Sequence, residues 1–158
     1  MLNATIERKL KVAGYCKVKA DKGDYPKEML NTKAEILKRF IEGHREWELV
    51  KVYADIVDST KPKKRKTYKE LVKDCHKGKV EKIIVKSLTS ISRNTIEVIK
   101  FIKEMKDLNI SIYFESEMMD TSYPYCDTLI KVLEQIGETE KPMIKSWGKV
   151  RIGGTANV

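Results

Sequence analysis

The feature that most constrains the fold is a regular alternation between two hydrophobic periods along the 158 residues. Four short segments are apolar and rich in β-branched residues, as strands are: 11–18, 47–56, 80–87 and 110–116. Four others carry apolar residues every three or four positions, which is typical of a helix face: Pro26 to Ile41, 68–78, 95–108 and 128–138. Strands that alternate with such helices predict an α/β fold in three layers. We expect a mostly parallel sheet of four to five strands, with helices on both faces.

The ends of these segments also predict the organisation of the chain. Gly78 can take the left-handed conformation that often closes a helix. Pro142 is expected to stop the last helix, because proline removes a backbone hydrogen bond and clashes with the preceding turn. The sequence therefore predicts an N-terminal extension over 1–10, one domain over 11–141, and a short tail over 142–158.

The charge of the chain indicates a polyanionic partner. Thirty-two Lys and Arg residues against twenty-three Asp and Glu residues give a net charge of +9, which attracts phosphate at long range. In a parallel sheet, the loops that follow the strands converge at one edge. We expect the cations of these loops to form a phosphate-binding surface there, although each run alone would be an ordinary solvated loop. The cations are Lys17, Lys19, Lys61, Lys63, Lys64, Arg65, Lys66, Lys86 and Arg93.

The sequence gives little support to metal or cofactor chemistry. Two groups of carboxylates lie in surroundings too basic for a metal site: Asp55 with Asp58, and Glu115 with Glu117 and Asp120. His44 and His76 each end a helical pattern, where a surface or capping role is expected. No glycine-rich nucleotide loop is present. We expect no metal and no cofactor.

The cysteines and the hydropathy of the chain indicate a cytoplasmic protein. Three well-separated cysteines match neither a zinc site nor a disulfide framework, and we interpret them as reduced and mostly buried: Cys16, Cys75 and Cys126. No apolar run approaches the roughly 18 residues of a membrane span. The first residues also lack an apolar segment long enough for a secretory signal. We therefore expect no membrane partner.

Several ordered motifs resemble the catalytic domain of the serine recombinases, the family of resolvases, invertases and large serine integrases. VAGYCKVKADKGD is similar to the family's first strand, whose pattern is Tyr-x-Arg-Val-Ser followed by a polar turn. WELVKVYADIVDST is similar to the second strand, RKTYKELVKDCHKGKVEKIIVKSLTSISRNT to the long central signature, and IYFESEMMDT to the fourth strand. The resemblance runs from about Lys11 to Glu140 and implies a resolvase-like fold.

The resemblance also implies a reaction and a set of site residues. In the family, a serine hydroxyl attacks a DNA phosphodiester, arginines stabilise the charge on phosphorus, and no metal is required. The matching residues here are Tyr15 for the strand tyrosine, Arg65 for the loop arginine, Arg93 for the second arginine of the signature, and Glu140 for the late-helix glutamate.

The chain departs from the family pattern at the reaction centre. Lys17 stands in place of the strand arginine, Lys19 in place of the nucleophilic serine, and Ser90 in place of the first signature arginine. Thr89 precedes it where Asp or Ser is usual, and Thr32 falls where a helical glutamine is expected. An amine with a reference pKa of about 10.4 is almost wholly protonated at neutral pH. Lys19 therefore favours holding a phosphate over attacking one; the alternative is that a site which had lost cleavage accepted a lysine without a new role.

These departures predict a domain of site-specific DNA recombination that is catalytically impaired. Loss of one preorganised charge donor costs about 10²–10³ in rate, and two donors are altered here. The hydroxyls of Ser87, Ser90 and Ser92 are candidate substitutes for the nucleophile, but we interpret them as loop and helix-capping groups. We expect weak binding to DNA phosphates through seven cations: Lys17, Lys19, Lys63, Lys64, Arg65, Lys86 and Arg93.

The last helix implies a protein partner as well. In the family this helix mediates dimerisation and leads to a DNA-binding domain, and here we expect no separate DNA-binding domain in 142–158. Ile130, Leu133 and Ile136 form an apolar face suited to a second copy or to an active recombinase. Two alternatives stay open: an active strand-exchange enzyme with an altered site, and an α/β module that binds a small phosphorylated ligand.

Overall fold

The computed structural model describes residues 8–20, 25–58, 60–61 and 64–136, and the strands and helices lie close to their predicted positions. In chain order the elements are β1 (Leu10–Lys19), α1 (Pro26–Glu42), β2 (Trp47–Val57), α2 (Lys66–His76), β3 (Lys82–Val85), α3 (Thr95–Asp107), β4 (Ser111–Phe114), β5 (Met119–Asp120) and α4 (125–136). A short 3-10 helix, Leu88–Ser90, follows β3. Lys63, Glu140 and the predicted tail lie outside the described residues.

The strands form one sheet in the order β2-β1-β3-β4-β5. The first four of these are parallel, and β5 runs antiparallel to β4, so the predicted mostly parallel sheet is confirmed. The sequence did not predict β5, because two residues are too few to show a period. β1 pairs with β2 as far as Lys19 but with β3 only as far as Tyr15. The end of β1 therefore extends beyond its β3 neighbour.

Helices cover both faces of the sheet, which confirms the three predicted layers. On one face, α1 packs Leu30, Leu37 and Ile41 against alternate residues of β1, including Val12 and Cys16. On the other face, α2, α3 and α4 bury a larger cluster against the remaining strand residues: Ala13, Tyr15, Leu71, Cys75, Ile99, Ile102, Met105, Cys126 and Ile130 are among its members. Consecutive residues of β1 thus point to opposite layers, as the strand period requires.

Helix α1 approaches β1 most closely at Gly14. A Cβ atom added there would lie 2.8 Å from Leu37 Cδ2 and 2.9 Å from Leu37 Cγ, so the helix packs directly on the strand backbone. Ile36, the neighbour of Leu37 on this helix, is 64% exposed. The apolar surface of α1 therefore continues outside the core.

The apolar residues of α4 are oriented differently from the expectation. Ile130 is buried in the core and Leu133 packs against it, so two of the three residues predicted to face a partner belong to the domain itself. The exposed apolar row consists of Leu129, Val132 and Ile136, which are 41%, 47% and 45% exposed. The predicted face was wrong because the inner and outer faces of this helix are both apolar.

Several smaller expectations can also be compared with the structure. Gly78 has φ +78° and follows Lys77, the C-cap of α2, which confirms the left-handed helix end. All three cysteines are buried and free. His44 stacks on Trp47 with ring centroids 3.8 Å apart, and His76 lies 2.7 Å from a Glu104 oxygen. Within the described ranges, no helix is both long enough and apolar enough to cross a membrane.

Candidate functional site

The candidate site begins at the carboxyl end of β1. Residues of a strand point alternately to its two faces, so Tyr15, Lys17 and Lys19 share the face covered by α2 and α3. Tyr15 is fully buried in that core, whereas the two lysines are half-buried. The strand therefore carries two ammonium groups out of the apolar core to the edge of the sheet.

Asp55 connects this part of β1 to α2. It lies on β2, opposite Lys17, and is 6% exposed. Its Oδ2 accepts a hydrogen bond from the Tyr15 hydroxyl at 2.8 Å, and the backbone N–H groups of Thr67 and Tyr68 donate to the carboxylate at 2.9 and 3.0 Å. Burial raises the pKa of Tyr15, and its bond to Asp55 raises that pKa further. Asp55 is thus the acceptor for the first turn of α2, a role that the sequence did not reveal.

Arg65 occupies the residue before α2 and is held from two sides. Its guanidinium carbon lies 3.9 Å from the ring centre of Tyr68 and 6.0 Å from that of Tyr15, which are cation–π distances. Its Nη1 also donates to the carbonyl oxygen of Ser90 at 3.3 Å, in the segment after β3. Because Asp55 fixes the start of α2, it fixes the base of the Arg65 side chain as well.

Cations from β1 and from two loops lie close enough at this edge to repel one another electrostatically. The pKa of Lys17 falls from 10.5 to about 8, first because the amine is partly buried and then because Arg65, Arg93 and Lys19 are positively charged. Asp55 opposes this fall without reversing it. Within the described part of the chain, none of these four cations forms an ion pair. Such a cluster of charge favours an anion over a further cation.

The remaining predicted cations lie at or beside the same edge. Lys61, Lys64, Lys66, Lys86 and Arg93 are exposed or half-buried. Lys86 lies 4.0 Å from a carboxylate oxygen of Glu115, with 73% of its side chain exposed. Lys63 and Glu140 lie outside the described residues, so their predicted roles stay predictions.

The hydroxyl groups after β3 serve the local backbone. Ser87 Oγ lies 2.8 Å from Thr89 Oγ1, and Ser90 Oγ accepts from the Ser87 N–H at 3.3 Å. Ser92 Oγ donates to a Glu97 carboxylate oxygen at 2.7 Å. Asn94 caps α3 by accepting from Ile96 N and Glu97 N. These contacts agree with the interpretation of the serines as loop and capping groups.

The carboxylates considered for a metal site have other partners. Asp58 accepts from the N–H and the hydroxyl of Thr60, both exposed, and Asp120 pairs with the buried ammonium of Lys82 at 2.7 Å. Glu117 accepts from the Leu88 N–H at 3.2 Å. Across the residues that the structure describes, no group of three or more His, Cys, Asp and Glu side chains is placed to hold a metal ion.

The fold and this edge define a three-layer α/β domain with a cluster of cations at the carboxyl ends of its parallel strands. The family model of the resolvase N-terminal domain matches residues 12–150. The chain therefore belongs to the resolvase family, whose N-terminal domain it matches over most of its length. No curated protein matches the chain significantly.

Solved structures with the same fold come from several recombinases. A resolvase family site-specific recombinase from Streptococcus pneumoniae is 23% identical, with a TM-score of 0.71 over 93% of this chain and 100% of its own. The N-terminal catalytic domain of TP901-1 integrase is 21% identical, with a TM-score of 0.67 over 84% of this chain and 98% of its own. The C-terminal catalytic domain of ISC1926 TnpA, an IS607-like serine recombinase, is 15% identical, with a TM-score of 0.57 over 92% and 100%. The chain is similar to each of them in fold.

Proposed function

We propose that this domain binds DNA phosphates at the carboxyl edge of its sheet and does not cleave DNA by the usual serine route. The observation that carries the proposal is the cluster of Lys17, Lys19, Arg65 and Arg93, in which the position expected for the serine holds a lysine. Four positive charges gathered at one edge bind a phosphodiester favourably. The proposal needs no metal and no cofactor, and it places the domain in the cytoplasm.

The reduced pKa of Lys17 makes this binding sensitive to pH. A bound phosphate stabilises the ammonium form, so binding takes up protons near the free pKa of about 8. We expect affinity for duplex DNA to fall between pH 7 and pH 9. Lys17→Arg keeps the charge throughout this range, so it should remove most of this pH dependence.

A salt titration tests whether the edge cluster holds the DNA. A variant that makes one fewer phosphate interaction should show a slope of log affinity against log salt concentration that is smaller by about one. We expect this reduction in Lys19→Gln and Arg65→Gln, measured by fluorescence anisotropy with a labelled duplex. Lys77→Gln is the matched control, because Lys77 follows α2 at the opposite edge of the sheet. Equal effects in all three variants would contradict the proposal.

A cleavage assay separates the proposal from the active-enzyme alternative. Purified protein is incubated with supercoiled DNA that carries its native crossover sequence, and the products are examined for nicks and covalent adducts. We expect neither, because a protonated amine is a poor nucleophile and the first signature arginine is absent. Adducts that disappear in Lys19→Ala would establish an altered strand-exchange enzyme instead.

We further propose that the outer face of α4 binds a second copy or a partner recombinase. Leu129, Val132 and Ile136 are spaced for one helical face and leave a row of apolar surface exposed. Val132→Lys should shift sedimentation of the domain towards the monomer, whereas Lys131→Ala, at the exposed neighbouring position, should not. A domain that is monomeric at all concentrations, alone and with an active recombinase, would refute this part.

A further inference from the structure

A crevice opens at the carboxyl edge between α1 and the segment that follows β3. Its volume is about 420 Å³, within the range of small-molecule sites. Its walls come from the end of β1, from one side of α1, and from residues 86–90 with the end of β4.

The connections of the sheet explain why a crevice forms here. The chain leaves β1 through α1 towards β2, on one side, and leaves β3 through α3 towards β4, on the other. β1 and β3 are neighbours, so the two connections diverge between them. This divergence is the topological switch point at which open α/β sheets bind ligands.

The crevice has one cationic side and one apolar side. Lys17, Lys33 and Lys86 line it, and Lys33 Nζ donates to the Lys17 carbonyl oxygen at 3.4 Å, which keeps its ammonium group beside the end of β1. The hydroxyls of the 87–90 segment lie on the same wall as Lys86. Glu115 is a single acidic side chain among the lining residues, and it faces Lys86 at 4.0 Å.

The apolar side is formed by three other residues of α1: Ile36, Leu37 and Phe40. Leu37 is buried and Phe40 half-buried, with the Phe40 ring stacked against Tyr113 at a centroid distance of 6.4 Å. Ile36 stands at the mouth and is 64% exposed, although it lines the crevice. A solvent-exposed apolar side chain close to lysines suits a ligand that has both an anionic group and an apolar group.

We propose that this crevice binds a small phosphomonoester with an aromatic body, of the size and kind of a nucleoside monophosphate. The phosphate lies towards Lys17 and Lys86, near the Ser87 and Thr89 hydroxyls, and the base lies against Ile36 and Phe40. The inference goes beyond phosphate binding by the edge cluster, because it requires the α1 wall that a DNA backbone alone would not need. The ligand comes either free from solution or as an unpaired nucleotide of bound DNA.

The test separates the crevice from the edge cluster by changing the apolar wall. The four nucleoside 5′-monophosphates, inorganic phosphate and adenosine are titrated into the chain by isothermal calorimetry. We expect at least one monophosphate to bind about tenfold or more tightly than either phosphate or adenosine. Ile36→Glu should abolish that preference, because it places a carboxylate at the mouth. Ile56→Glu is the matched control, since Ile56 is an exposed isoleucine on β2 outside the crevice.

Two binding measurements on DNA identify the source of the ligand. If the ligand is a nucleotide of DNA, Ile36→Glu weakens binding of a single-stranded oligonucleotide and leaves duplex binding unchanged. If the ligand is free, the variant loses the monophosphate and binds both DNAs normally. Equal affinity for inorganic phosphate and all monophosphates, or no effect of Ile36→Glu in any assay, would overturn the inference. Neither result alters the duplex test with Lys19→Gln, so the two proposals fail separately.

Discussion

Replacing Asp55 with alanine removes a buried carboxylate that joins β1, β2 and α2. Three donors lose their acceptor in this variant: the Tyr15 hydroxyl and the N–H groups of Thr67 and Tyr68. Tyr15 is fully buried, so water cannot replace the carboxylate without opening the core. The N–H groups begin α2, where removal of their acceptor leaves the first turn of the helix unsatisfied.

The expected cost follows from these hydrogen bonds. Loss of a helix-capping acceptor costs about 0.5–2 kcal/mol, and a buried hydroxyl left without a partner costs about 1–3 kcal/mol. We therefore expect the free energy of unfolding to fall by about 2–4 kcal/mol in Asp55→Ala. Tyr15→Phe removes one of the three hydrogen bonds and leaves the helix acceptor in place, so it should cost about 1 kcal/mol.

Urea denaturation followed by circular dichroism measures both values. Asp58→Ala is the matched control, because it makes the same charge change on an exposed residue whose carboxylate bonds only Thr60 among the described residues. We expect this control to change stability by less than about 1 kcal/mol. If the loss in free energy of unfolding in Asp55→Ala lies within about 0.5 kcal/mol of the loss in Asp58→Ala, Asp55 does not stabilise the start of α2. If Asp55→Ala does not fold, the Tyr15→Phe value still tests the network.

Three further changes test other parts of the structure. Gly14→Ala places a methyl group 2.8 Å from Leu37, and we expect a loss of about 1–3 kcal/mol in urea denaturation, which a shorter side chain at Leu37 should partly restore. Gly78→Ala meets no atom within 4 Å but must keep φ near +78°, so it should cost about 1–2 kcal/mol; an unchanged midpoint would refute the strain. Lys17→Met removes an amine whose pKa is lower folded than unfolded, so the wild type should gain stability relative to this variant as pH rises from about 8 to 10.5. A difference that is constant over this range would contradict the lowered pKa.

The sequence predicted the elements better than their ends, and α2 shows why. Its apolar period predicted a start at residue 68, but the helix begins at Lys66. The acceptor for its first turn is Asp55, eleven residues earlier and on another strand, and no local rule of helix capping includes such a residue. A signal was nevertheless present, because Asp55 lies between Tyr53 and Val57 on the inward face of β2.

In the candidate site, too, the sequence pattern predicted some features, and others depend on side-chain packing. Convergence of the strand-end cations follows from parallel topology alone, which periodicity predicts. The stacking of Arg65 on Tyr68 and the crevice beside α1 depend on how side chains pack between separate elements. The sequence also could not predict the orientation of α4, because both of its faces are apolar and the packing of the core determines which face is buried.

The unequal lengths of β1 and β3 have a consequence for how this domain can vary. Tyr15 is the last residue of β1 that pairs with β3, and β1 continues for four residues beyond it. These four residues pair with β2 on one side and with no strand on the other. The crevice beside the end of β1 therefore depends on the unequal strand lengths as well as on the residues of the 86–90 segment that line it. We expect a β3 strand extended by two paired residues to fill this crevice, because it would pair with the open side of Cys16 and Lys17.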